Sequence, residues 1–188
     1  MPPQLAILCC IALFLLGLGL PSCSSTPSHV NAPATAKVVD LTRYAGRWFE
    51  IARLPMPFQK AGEAAIAEYK GNVDGTISVH NIAIRADGSQ HDIHGYAKVL
   101  NPPMNTKLAV RFNTWFGPLI PVPQEGNYWV LYVDEHYQHA IVGTPDRKYL
   151  WILARKPKFQ EPQLQELVGK AKGLGFDVSR LIMDSHSP

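Results

Sequence analysis

The chain has 188 residues, a formal charge of +3, 46% apolar and 18% charged side chains, which suits one folded domain with an appendage and excludes a disordered or multi-domain architecture. Lys and Arg are scattered rather than clustered, so the electrostatic footprint of a nucleic-acid binder is missing and no nucleic-acid partner is expected. Only one stretch, residues 5–20, is continuously apolar, and it is too short for a comfortable bilayer span, which excludes a polytopic membrane protein.

That stretch ends at Leu20-Pro21-Ser22-Cys23 and is followed by polar Ser24-Ser25-Thr26-Pro27. An apolar run, a small residue and then cysteine has the outline of a secretory signal cut before Cys23, and it resembles bacterial lipoprotein processing, in which the thiol is acylated. Residues 1–22 are accordingly read as a signal peptide, 23–36 as an acylated Cys23 with a flexible tether rich in Ser, Thr, Pro and Ala, and 37–188 as the folded domain. Cutting there also removes Cys9 and Cys10, so neither an intramolecular disulfide nor a Cys-based zinc site is expected.

From Gly46 onward, short runs rich in β-branched and aromatic residues alternate with turn residues such as Asn72-Val73-Asp74-Gly75 and Ala86-Asp87-Gly88. They predict strands at 47–54, 64–70, 76–85, 89–99, 107–112, 128–133, 139–143 and 149–155. One helical pattern follows, with Leu164, Leu167, Val168, Ala171 and Leu174 on a single face. Strands joined by short turns would leave two exposed edges in an open sheet, so the expected fold is all-β, an eight-stranded antiparallel up-and-down barrel with one C-terminal helix packed outside; a two-sheet sandwich is the rival. Alternation places Ile93, Gly95, Ala97 and Val99 on one face of their strand and Leu108, Val110 and Phe112 on one face of theirs. Two strands, 128–133 and 149–154, are apolar on both faces and are read as touching the helix.

The block Tyr44-Ala45-Gly46-Arg47-Trp48-Phe49-Glu50-Ile51-Ala52-Arg53 resembles the Gly-x-Trp signature that opens lipocalins, in the form of the bacterial outer-membrane and apolipoprotein D branch. Asn127-Tyr128-Trp129-Val130-Leu131-Tyr132-Val133-Asp134 and Tyr149-Leu150-Trp151-Ile152-Leu153-Ala154-Arg155 follow in the family's order, and the match extends over residues 40 to about 183. The resemblance implies that Trp48, after Gly46, plugs the closed barrel end under the guanidinium of Arg155, a structural cation–π pair. It implies a calyx for a small apolar ligand, in this branch a fatty acid, palmitate among them, a lysophospholipid or a similar lipid. It also implies an outer-membrane lipoprotein anchored through Cys23 with its domain in the periplasm, serving envelope lipid storage, transport or maintenance.

Trp129 is implied as a pocket residue by the same resemblance, and strand parity adds Leu131 and Val133. Alternation alone adds Val110, Phe112, Ile93, Ala97 and Tyr69, while Arg53, Lys60, Arg85 and Arg111 are candidates to meet a charged headgroup. The apolar, proline-rich segment 115–123 is open to four roles: lid, membrane contact, contact in a homodimer, or packing on its own barrel.

No nucleophile-elbow, phosphate-loop or zinc-protease motif occurs. His91 and His94, like His136 and His139, are three apart, a spacing that puts the rings on opposite faces of a strand, so no metal site is expected. No cofactor is expected either. An enzyme acting on a lipophilic substrate in the same calyx, with Tyr69 or Tyr96 as acid, is the alternative to a carrier.

Overall fold

A computed structural model describes residues 32–60, 62–114, 121–184 and 186. Each alternating segment forms a strand: β1 (Gly46–Arg53), β2 (Ala64–Gly71), β3 (Ile77–Ile84), β4 (Gln90–Val99), β5 (Lys107–Phe112), β6 (Tyr128–Val133), β7 (His139–Gly143) and β8 (Leu150–Ala154). Consecutive strands pair antiparallel from β1 to β8, and β8 pairs back with β1, so the sheet closes as a barrel and loses the edges an open sheet would expose.

Three short elements complete it. The first is α1 (Leu41–Tyr44), capped by Asp40, whose carboxylate accepts from Thr42 and Arg43 N–H groups at 2.9 and 3.2 Å. After the long helix α2 (Glu161–Gly173) and a 3-10 turn at Val178–Arg180 comes β9 (Ile182–Met183), which pairs with Ala52 and Arg53 of β1. The last residues of the expected tether are not free: Ala36 N–H donates to Val130 O at 3.0 Å and Pro33 is buried. Cys23 and the expected signal peptide lie outside the described residues, as does 115–120 of the proline-rich segment.

Two apolar clusters divide the protein. The inner one gathers Trp48, Ile77, Val79, Ala97, Leu108, Val130, Val142 and Leu153 inside the barrel. The outer one packs Ile51, Ala52, Trp129, Leu131, Ile141 and Ile152 against Leu167, Ala171 and the flanking Leu164, Val168 and Leu174 of α2, the face that the helical period predicts. Gly143 lets this layer close, since a Cβ there would sit 2.7 Å from the Phe176 ring.

Bulges decide which side chains belong to which cluster. In β1 the register slips between Glu50 and Ala52, and in β6 between Val130 and Tyr132. Each slip inserts one residue, so two successive side chains point outward and the next returns inward. Leu131 and Tyr132 therefore join the outer cluster while Val133 rejoins the inner one.

Arg155 pins α1 against its end of the barrel. Its guanidinium lies 3.9 Å over the Trp48 ring and donates to the carbonyls of Arg43, Ala45 and Arg47 at 2.8, 2.9 and 2.7 Å. Arg155→Ala removes the cation–π contact and strands these acceptors, and is expected to cost about 2–4 kcal/mol. Arg155→Lys, with no planar fork, recovers less than half of that loss. Urea denaturation of the three proteins checks both; a cost below about 1 kcal/mol for Arg155→Ala contradicts the assigned role.

Candidate functional site

Apolar, inward-facing positions on five strands leave a cavity of about 400 Å³ in the barrel, within the range of small-molecule sites. Its wall is Tyr69 of β2, Ile77 of β3, Ala97 of β4, Leu108 and Val110 of β5, and Tyr128 and Val130 of β6. Val39, Leu41 and Tyr44 of the N-terminal segment cover it. Exposed Thr42, Asn72 and Gly75 also border it, so it reaches the surface between α1 and the β2–β3 turn. Ala97 supplies the space, because a larger residue between Ile77 and Val110, its neighbours in register, would fill the hollow.

Three tyrosines form its polar element. Tyr44 and Tyr128 hydroxyls are 2.8 Å apart, and Tyr128 donates to Tyr69 at 3.0 Å. Burial, the largest cause, pushes the Tyr69 hydroxyl up to about 12 and raises Tyr44 and Tyr128 as well, so all three stay protonated at neutral pH. Among the described lining residues there is no His, Asp, Glu, Lys, Arg or Cys.

Of the residues expected to bind ligand, Tyr69, Ala97 and Val110 come together on this cavity. Phe112 and Val133 pack against the inner cluster but not on the cavity, and Ile93 faces the interior opposite Asn81, away from it. Trp129 and Leu131 are corrections. Both lie in the outer cluster, because Tyr128 and Val130 take the inward parity. The Trp129 indole N–H donates to Glu125 O at 2.7 Å and Lys107 Nζ lies 4.0 Å over its ring, so the polar edge is satisfied outside the barrel. Of the cavity residues missed from sequence, Leu108 shares the alternating face that marks Val110, whereas Tyr128 and Val130 lie in a strand apolar on both faces, where alternation gives no signal, and Ile77 was also missed. Leu41 and Tyr44, from α1, carry no such signal.

None of the four headgroup candidates lines the cavity. Lys60 has an exposed side chain, Arg85 is held by Glu63 at 3.3 Å, and Arg111 pairs with Tyr96 on the outward parity. Arg53 is wholly buried at the opposite half of the barrel, 3.1 Å from Glu50 and 4.0 Å from Asp184, and donates to Lys60 O at 2.6 Å. The β1 bulge brings this about by turning both Glu50 and Arg53 inward. With two carboxyls facing one guanidinium, burial first and then the neighbouring Asp184 hold Glu50 well above the usual carboxylate range.

The sequence model described as a lipocalin-like domain matches residues 39–186, and the chain belongs to the lipocalin family. It is 43% identical to temperature-induced lipocalin-1 of Arabidopsis thaliana over 148 residues, 77% of this chain and 78% of that one. It is 36% identical to outer membrane lipoprotein Blc of Escherichia coli K12 over 162 residues, 86% of each chain. Apolipoprotein D of Macaca fascicularis is 37% identical over 86% of this chain and 81% of its own. Among solved structures, lobster apocrustacyanin A1 shares the fold with a TM-score of 0.57 at 15% identity, covering 84% of this chain and 91% of that one.

The buried carboxyls make a pH prediction. Folding raises the pKa of Glu50 above its ordinary 4.5, so its contribution to stability is complete below about pH 4.5 and is lost as pH rises through the elevated folded value. Unfolding free energy measured by urea denaturation is expected to decline from this site as pH rises above about 4.5, and Glu50→Gln to flatten the decline. An unchanged slope in the variant would show that Glu50 is ionised throughout.

Proposed function

We propose that this protein is a lipid carrier that holds the acyl chain of a fatty acid, lysophospholipid or similar lipid in the barrel cavity, for storage, transport or maintenance of envelope lipids. The observation that carries this reading is the apolar cavity of about 400 Å³ with no ionisable side chain on its described lining other than three protonated tyrosines. Each methylene withdrawn from water contributes about 0.8 kcal/mol, so a sixteen-carbon chain offers on the order of 12 kcal/mol before ordering costs. Micromolar or tighter binding is within reach of that sum.

Lipocalins generally bind small hydrophobic ligands, which supports the class of occupant. Catalysis is the weaker reading. Tyr96 stands on the outer face of β4, and Tyr69, though in the cavity, has a hydroxyl too weakly acidic to give up its proton readily near neutral pH.

Location rests on separate support: the Cys23 outline in the sequence and the relatives named outer membrane lipoproteins. We infer an acylated Cys23, an outer-membrane anchor and a periplasmic barrel, with Ser24-Ser25 lacking the Asp that marks inner-membrane retention in many enterobacteria.

Displacement of a fluorescent fatty acid tests the cavity. Ala97→Phe and Val110→Phe fill it and are each expected to weaken binding at least tenfold, while Trp129→Phe binds as the parent does. Full binding by both filled variants would exclude the cavity as the site. For the anchor, Cys23→Ser is expected to move the protein from membrane to soluble fractions of its own cells; retention in the membrane would contradict acylation.

A further inference from the structure

On the outer wall of the barrel, away from the lipid cavity, the β3–β4 register sets His80 directly opposite His94. Their rings stack in parallel with centroids 4.1 Å apart. Asp92 Oδ2 lies 3.1 Å from His80 Nε2, in hydrogen-bond geometry, and 3.0 Å from His94 Nε2. The other ring nitrogen of His80, Nδ1, faces Glu68 Oε2 at 3.4 Å, and Glu68 is itself held by Arg47 at 2.7 Å.

This arrangement has a chemical consequence. A neutral imidazole carries one N–H, so a ring set between two carboxylate oxygens directs a lone pair at one of them unless a second proton or a metal cation stands between. In metal sites, the ring N–H that does not face the metal goes to a carboxylate, which fixes the tautomer and aims the free lone pair. Glu68 is placed to do this for His80.

We propose that His80, His94 and Asp92 form a binding site for a divalent transition metal, with Glu68 as the positioning residue for His80. Two imidazoles and a carboxylate suit Zn²⁺, which takes three protein ligands and leaves a fourth position open. Tetrahedral ligands at about 2.0–2.2 Å from zinc lie about 3.3–3.5 Å apart. The Asp92 contacts of 3.0–3.1 Å widen slightly on binding, the three donor atoms already lie within 4.8 Å of one another, and the exposed His94 ring turns out of the stack so that both lone pairs meet one ion. His94 and Asp92 side chains are 63% and 53% exposed, which leaves a path for the ion and the open position facing solvent. Bound metal would tie β3 to β4 across their outer face.

Spacing along a single strand does not show this cluster. His91 and His94 do take opposite parities, with His91 facing Ala83. His94 finds its partner in the next strand, a relation that only the register reveals.

Calorimetric titration of the purified protein with Zn²⁺, repeated with Co²⁺ and followed by visible absorption, tests the site. One ion per chain is expected, with a tetrahedral Co²⁺ spectrum and a Tm increase of about 5–10 °C when free Zn²⁺ is 100-fold above Kd. His80→Ala and His94→Gln are each expected to lose at least tenfold in affinity, and Glu68→Gln ten- to a hundredfold. His91→Ala and His139→Ala serve as controls that bind as the parent does. Histidine NMR titrations with and without zinc distinguish the remaining occupant: identical curves for His80 and His94 mean that a proton alone bridges the cluster, and overturn the proposal. So does one-to-one binding that survives both ligand substitutions, and an unchanged affinity in Glu68→Gln removes the positioning role.

Discussion

Arg155 governs the α1 end of the barrel, and the cavity depends on that end. Its guanidinium collects carbonyls from residues on either side of Gly46 while lying on the Trp48 indole, whose own N–H donates to Tyr44 O at 2.8 Å. One charged group thereby satisfies the C-terminal carbonyls of a four-residue helix too short to be stable alone. Gly46 allows the approach: its φ is +94°, and a Cβ there would already touch Arg155 Nη1 at 3.4 Å. Because α1 is fixed in this way, Leu41 and Tyr44 become part of the cavity lining, and Tyr44 brings its hydroxyl to Tyr128.

The barrel wall serves two cores at once, and this explains which parts of the architecture were legible. Strands bounded by clear turns and alternating without interruption, such as β4 and β5, show their inward faces in the sequence, and Ala97 and Val110 follow from that alternation. Where a wall is apolar on both sides, period-2 reasoning has no contrast to work with. Strand β6 is such a wall, and its bulge at Leu131 reverses parity midway, so Val133 faces inward while Trp129 and Leu131 cover the outside beneath α2. The family resemblance placed Trp129 in the pocket; the contacts of its indole with Glu125 O and Lys107 place it on the other face.

Short elements escaped for a different reason. Asp40 is a readable helix cap, but four residues give no period. Strand β9 has two residues and exists through its pairing with β1, so nothing local marks it. The same holds for Glu50, Arg53 and Asp184. Sequence places Glu50 and Arg53 three apart in one strand, which would put them on opposite faces; the β1 bulge puts both inside, and Asp184 arrives with the C-terminal tail. Long-range register, rather than composition or spacing, creates both this buried ionic group and the histidine pair on the outer wall.

NOEs between ¹³C-labelled palmitate and the protein locate the acyl chain directly. A chain held in the barrel cavity gives contacts from its methylenes to the methyls of Ala97, Leu108 and Val110 and to the ring of Tyr69. Contacts confined to Leu131 and Ile141 of the outer cluster, or none at saturating ligand, would contradict that placement.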